Sequence, residues 1–239
     1  ITPNASFIDT GENKKMGING EGIRPKFAIL DPELTLSCPR NPTISAGVDS
    51  LVHASEAYVA KLSNPMAKLF SNHGFNLVVK NLPLLIDDMN NIKLRENVML
   101  GAFYSAIALM NSGTGPAAAM SYPLGVNYKV PHGIGGAIFL PHVIENNIRR
   151  GFLGYNGLMD ISFDKHSKTN SSKVFLKNLI KVWHKLEIPE SIDRYGYKFE
   201  HKDTFIDQTL ELRGALDQNP IPFYEKEISH VLDKLTGVK

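Results

Sequence analysis

From Thr43 to the C-terminus the apolar residues recur at helical spacing almost without interruption, and that pattern predicts a mainly α fold. Across Thr43 to Leu62, Ile44, Val48, Leu51, Val52, Ala54 and Tyr58 fall near that spacing, with Thr43 or Ser45 available as a cap. A second helix is expected from Pro65, a residue suited to a first turn, toward Leu85. A third spans Arg95 to Asn111, and Gly113-Thr114-Gly115-Pro116 breaks it. A short segment from Ala117 to Tyr122 is expected to end at Pro123, and a longer helix from His132 to about Asn147 to be interrupted or kinked at Pro141. Ser172 to Leu186, Lys202 to Leu216 and Pro222 to Leu235 supply the tail, and polar Gly151 to Ser171 reads as a long surface loop. Ile1 to Asp31 differs: turn signals at Thr10-Gly11-Glu12-Asn13, Asn19-Gly20 and Gly22 separate short mixed segments. Within it, Lys26-Phe27-Ala28-Ile29-Leu30, bounded by Pro25 and Asp31, reads as a buried strand.

Composition narrows the classes of function. A hydrophobic share of 43% is enough for a sizeable core. A formal charge of +2, with no run of five Lys or Arg, argues against nucleic acid as a partner. The longest apolar runs, such as Gly101 to Met110, are too short to cross a bilayer, and no charged start precedes an apolar stretch as in a signal peptide. The single cysteine, Cys38, excludes an internal disulfide and any cysteine-based zinc cluster. The expectation is a cytoplasmic protein without membrane partners. The first residue is Ile, which suggests a fragment of a longer chain.

The densest chemistry is Asp49-Ser50-Leu51-Val52-His53. Residues at i and i+4 share a helix face, so this carboxylate and imidazole can grip one divalent metal together. The plainer alternative, and the commoner one for such a pair, is an Asp–His hydrogen bond on a solvated face. Glu56 is read as a polar neighbour rather than a further ligand. His132, between Pro131 and Gly133 at an expected helix start, can project into a cleft or serve as a cap or core residue. His142 lies in the apolar run Ile138-Phe139-Leu140-Pro141 and reads as a hydrogen-bonded core histidine. His73, His166, His184, His201 and His230 have no partner at ligand spacing. Gly133, Gly135 and Gly136 follow no predicted strand and make no dinucleotide fingerprint, and Cys38 has no sequence neighbour to activate it.

Taken in order, these stretches resemble the iron-containing (group III) alcohol dehydrogenase family. The matching residues are Phe27 to Thr35, Gly47 to Tyr58, Pro123-Leu124-Gly125, Pro131-His132-Gly133 and Leu140-Pro141-His142-Val143, with a weaker echo at Asn219-Pro220-Ile221-Pro222. The resemblance implies the helical bundle of the dehydroquinate synthase-like fold. Residues 41–239 would be the metal-binding catalytic domain, and residues 1–40 the trailing piece of an absent nucleotide-binding domain. It implies a metal, Fe²⁺ or Zn²⁺, held by one Asp and three His. Asp49, His53 and His132 match three of these; the remaining His should stand four residues before Tyr122, where the chain has Ala118, and Tyr122 replaces a second common His. A catalytic zinc commonly needs only ~3 protein ligands, so the site survives on that set. The implied reaction is NAD- or NADP-linked hydride transfer between a primary alcohol and its aldehyde, with these 239 residues alone inactive and the enzyme a homo-oligomer. The Tyr122-Pro123-Leu124-Gly125 form resembles a subgroup associated with sugar-acid modification. Two alternatives stay open: another zinc enzyme of this fold, such as a glycerol dehydrogenase or a dehydroquinate synthase, and a metal-free helical module retained for assembly.

Overall fold

The periodic stretches fold into α1 (Arg40–Val59), α2 (Pro65–Leu85), α3 (Ile92–Met110), α4 (Pro116–Tyr128), α5 (His132–Arg149), α6 (Ser172–Lys185), α7 (Lys202–Leu210), α8 (Arg213–Leu216) and α9 (Glu225–Leu235). This computed structural model describes residues 2–9, 11, 14–160 and 171–236; His166 and the 161–170 part of the expected surface loop lie outside the described residues. Local chemistry sets the starts. Asn64 accepts from the Ala67 amide with Pro65 in the first turn of α2, Asn91 caps α3 through Leu94, and Ser171 caps α6 through Val174. The core lies where α1, α2 and α5 meet, around Val48, Leu51, Val52, Phe75, Val78, Leu82, Phe139 and Ile144, all fully buried. Helices α2 and α3 approach closely because Gly74 faces Gly101: a Cβ on Gly74 would stand 2.7 Å from the Gly101 carbonyl oxygen.

Two prolines lie inside helices, and the one expected to end its helix, Pro123, does not. Pro123 does not end its helix; α4 continues through it to Tyr128 and stops where Lys129 turns left-handed (φ 58°). Leu124, just past the proline, is fully buried, so core packing carries the helix on. Pro141 likewise stays inside α5. A proline lacks the amide that would reach the carbonyl four residues back, here that of Ala137. The Trp183 indole of α6 donates to that carbonyl at 2.6 Å, so the orphaned acceptor becomes a tie between α5 and α6. The helix expected over Lys202 to Leu216 divides at Leu212 into α7 and α8.

At the N-terminal end β1 (Asn4–Asp9) pairs antiparallel with β2 (Lys14–Asn19), Phe7 opposite Met16. The buried strand expected at Lys26 to Leu30 is not formed. That segment has no regular hydrogen bonding, and Phe27 and Ile29 are 90% and 92% exposed. Extended backbone is buried only against a neighbouring strand or layer, and among the described residues the sheet consists of β1 and β2 alone. The chain is anchored again before α1 by buried Arg95 of α3, whose guanidinium donates to the Met89 carbonyl at 2.9 Å and the Cys38 carbonyl at 3.2 Å.

Candidate metal centre

Asp49 and His53 stand one turn apart on α1, and His132 opens α5. The first two face together through helix geometry; the third arrives through packing. Gly133 makes that packing possible. A Cβ there would lie 2.0 Å from the Ser45 carbonyl oxygen and 2.8 Å from Asp49 Cβ, so glycine lets α5 begin directly against α1. One carboxylate oxygen and two imidazole nitrogens thereby come within 4.8 Å of one another. His53 Nε2 and His132 Nε2 each lie 3.8 Å from Asp49 Oδ1, and the three side chains are 23–30% exposed.

At 3.8 Å neither pair is hydrogen bonded. Donors that share a divalent ion at 2.0–2.2 Å stand ~3.4 Å apart along a tetrahedral edge, so each imidazole is within a few tenths of an ångström of the separation from Asp49 that a shared ion needs. Two imidazoles and a carboxylate suit zinc or iron(II). The residues present therefore fit such an ion. Behind the triad, Ser121 Oγ lies 2.5 Å from His132 Nδ1, and the Tyr122 ring stands edge-on to the imidazole at 5.3 Å. Burial and then the Asp49 charge push the Tyr122 phenol up, so it keeps its proton at neutral pH. Ala118 is 4% exposed and contributes backbone: its carbonyl accepts from Ser121 Oγ at 2.6 Å.

Glu56 has a larger part than that of a polar neighbour. It is 5% exposed, and its carboxylate accepts from Thr114 Oγ1 at 2.8 Å and from the Gly115 and Ala117 amides at 2.8 and 2.7 Å. These amides are at the start of α4, whose cap residue, Gly115, has no side-chain oxygen. Glu56 is thus the helix cap, delivered from α1, and it fixes α4 one turn beyond His53. Burial raises its pKa, opposed by its hydrogen bonds from Thr114, Gly115 and Ala117 and by His53. A sequence signal existed: Gly115-Pro116 opens a helix without Ser, Thr, Asp or Asn at the cap, so an acceptor must come from elsewhere.

Beside the triad a cleft of about 680 Å³ is lined by Asp49, His132, Arg40, Arg194 and Tyr195 among others. Arg40 pairs with Glu187 at 3.0 Å, and Arg194 lies against the Tyr195 ring. The remaining described histidines stay apart from the triad. His142 departs from expectation: its buried Nδ1 has no hydrogen-bond partner. His201 accepts or donates at the Tyr128 hydroxyl, His184 faces Glu190, and His73 packs on Tyr104.

Comparison with known proteins places these observations in a family. Residues 43–236 match the profile described as Fe-containing alcohol dehydrogenase family, C-terminal. The chain is 29% identical over 224 residues to 4-hydroxybutyrate dehydrogenase of Clostridium kluyveri, covering 92% of this chain and 60% of that protein. It is 35% identical over 144 residues to NAD-dependent methanol dehydrogenase of Bacillus methanolicus, covering 60% of this chain and 38% of the relative. A crystal structure of 1,3-propanediol oxidoreductase superposes with a TM-score of 0.89 at 25% identity, over 98% of this chain and 62% of that one. The chain therefore spans about 60% of the length of the first of these relatives.

Proposed function

This chain belongs to the Fe-containing alcohol dehydrogenase family, and from that premise we propose that it is the metal-binding catalytic part of an NAD(P)-dependent alcohol dehydrogenase. The observation that carries the reading is the convergence of Asp49, His53 and His132 within 4.8 Å on two helices that share the buried core. In this reading residues 41–239 are the helical catalytic domain and residues 1–40 the trailing segment of a nucleotide-binding domain. When bound, a divalent ion supplies Lewis acidity toward a substrate oxygen and a nicotinamide supplies the hydride acceptor. The chain's own residues hold and shape the place where this happens. Asp49 and His53 offer donors from one helix face, His132 offers Nε2 from the other side, and the protonated Tyr122 sets its ring edge-on against His132. Turnover needs a nicotinamide site, so these 239 residues alone are expected to show none.

The substrate proposed is a primary alcohol or its aldehyde, and more narrowly one with an acidic group at its far end, such as a sugar acid. Arg194 in the cleft beside the triad supports this, as does the similarity to an enzyme named for 4-hydroxybutyrate. The lone, unpaired Cys38 suits a reducing, cytoplasmic setting, and the exposed Met66 and Leu69 on α2 support a homo-oligomer.

A second reading, a metal-free helical module, rests on Ala118 standing where a third histidine is expected. Elemental analysis after dialysis against zinc or iron(II) separates the two. Near-stoichiometric metal in the wild type, lost at least tenfold in His53→Ala, supports the enzyme. No metal in the wild type, or equal metal in His53→Ala, supports the module.

A further inference from the structure

Ser121 lies on α4, buried to 1% exposure, with two polar neighbours. Its Oγ is 2.6 Å from the Ala118 carbonyl oxygen and 2.5 Å from His132 Nδ1. A serine hydroxyl has one hydrogen to give, and a carbonyl can only accept. Two oxygens 2.6 Å apart need a hydrogen between them, so the serine hydrogen goes to Ala118. The hydroxyl must then receive its second bond, and the giver is His132 Nδ1–H. That assignment leaves the neutral His132 ring with its lone pair on Nε2, the atom 3.8 Å from Asp49 Oδ1. A lone pair facing a carboxylate at that distance is unfavourable unless positive charge enters between them. Gly135 on α5 leaves room for the arrangement, since a Cβ there would stand 3.1 Å from Ser121 Cβ.

We propose that Ser121 is the positioning residue of this site. The relay His132 Nδ1–H to Ser121 Oγ–H to the Ala118 carbonyl holds His132 in the one tautomer and ring orientation that presents Nε2 to a divalent cation. The relay gives position 118 a role despite its lack of a ligand side chain: its backbone anchors the ligand that remains. The inference rests on the proposed metal-binding reading for its consequence, though the tautomer itself is a property of the metal-free chain. Partners of this kind that orient a ligating histidine typically contribute 10–100-fold to metal affinity.

The test uses the 239-residue chain labelled with ¹⁵N at histidine. Long-range ¹H–¹⁵N spectra of the metal-free wild type are expected to show His132 protonated at Nδ1, and Ser121→Ala to shift it toward the Nε2–H form. Zinc affinity by chelator competition is expected to fall about 10–100-fold in Ser121→Ala, with part recovered in Ser121→Cys, which keeps a small donor–acceptor group. Nε2–H protonation in the wild type overturns the proposal, whatever the variants do. So does a Ser121→Ala protein with unchanged tautomer and zinc affinity. If the wild type binds no zinc yet shows the Nδ1–H tautomer and its loss in Ser121→Ala, the relay stands and the metal-binding reading fails.

Discussion

A carboxylate sunk into a protein is costly unless backbone amides surround it, and Glu56 has found the amides that most need an acceptor. Its removal leaves the Gly115 and Ala117 amides and the Thr114 hydroxyl without their partner. Glu56→Ala is therefore expected to lower stability by about 2–3 kcal/mol in urea denaturation, with Glu56→Gln closer to wild type because one acceptor oxygen survives. The same residue shows which part of the site was legible in the sequence. Helical spacing puts Asp49 and His53 on one face, but only the family resemblance singles them out as ligands. His132 is singled out by Pro131-His132-Gly133, but its arrival beside Asp49 depends on packing that no local pattern encodes. Ser121 carried no signal at all, because its partner lies eleven positions away across a helix boundary and the meeting is made by the α4–α5 approach.

At the scale of the helices, α5 does most of the organising, and two outcomes follow from its surroundings. Gly133→Ala sets a methyl against the Ser45 carbonyl and Asp49, so α5 must shift at its first turn. The variant is expected to lose about 1–3 kcal/mol of stability, and its zinc affinity should drop as His132 moves off. A thermal melt together with chelator competition checks both. The other end of α5 meets α9, where His142 and His230 face Glu145 and Arg149 on α5 and Asp233 and Lys234 on α9. Burial holds His142 below its ordinary 6.5, Glu145 opposes, and Lys234 and His230 add to the lowering; burial, then Arg149 and Lys234, lower His230. For a folded value below the unfolded one, the unfolded chain takes up the proton first. Stability should thus fall as pH drops through 6.5 toward the lowered folded value, and be constant in this respect above it. Urea midpoints at pH 7.5 and 5.5 measure the loss, and it should shrink in His142→Asn. One proline was misjudged: Pro123 read as a stop, yet buried Leu124 just past it carries α4 on. Pro141 read as a break or kink within a longer helix, and α5 does run through it, the Trp183 indole taking the carbonyl that the proline orphans.

For the molecule as a whole, the helical architecture was readable because amphipathic periodicity reports burial against a core the chain itself supplies. Lys26 to Leu30 was misread as buried because a strand is buried only by a partner, and the pattern cannot say whether the partner is present. Phe27 and Ile29 consequently project into solvent. A Phe27→Ser, Ile29→Ser double variant should change stability by no more than about 0.5 kcal/mol while reducing concentration-dependent association in sedimentation velocity. The converging donors have a consequence of another kind. Asp49 and His53 belong to α1 and His132 to α5, and α2, α3 and α4 intervene along the chain. An ion held by all three recognises only the folded chain, so occupancy and folding become one equilibrium. Free ion at a thousandfold excess over its dissociation constant adds ~4.1 kcal/mol to the folded state. Under the proposed metal-binding reading, the ion supply then sets what share of the chains is folded.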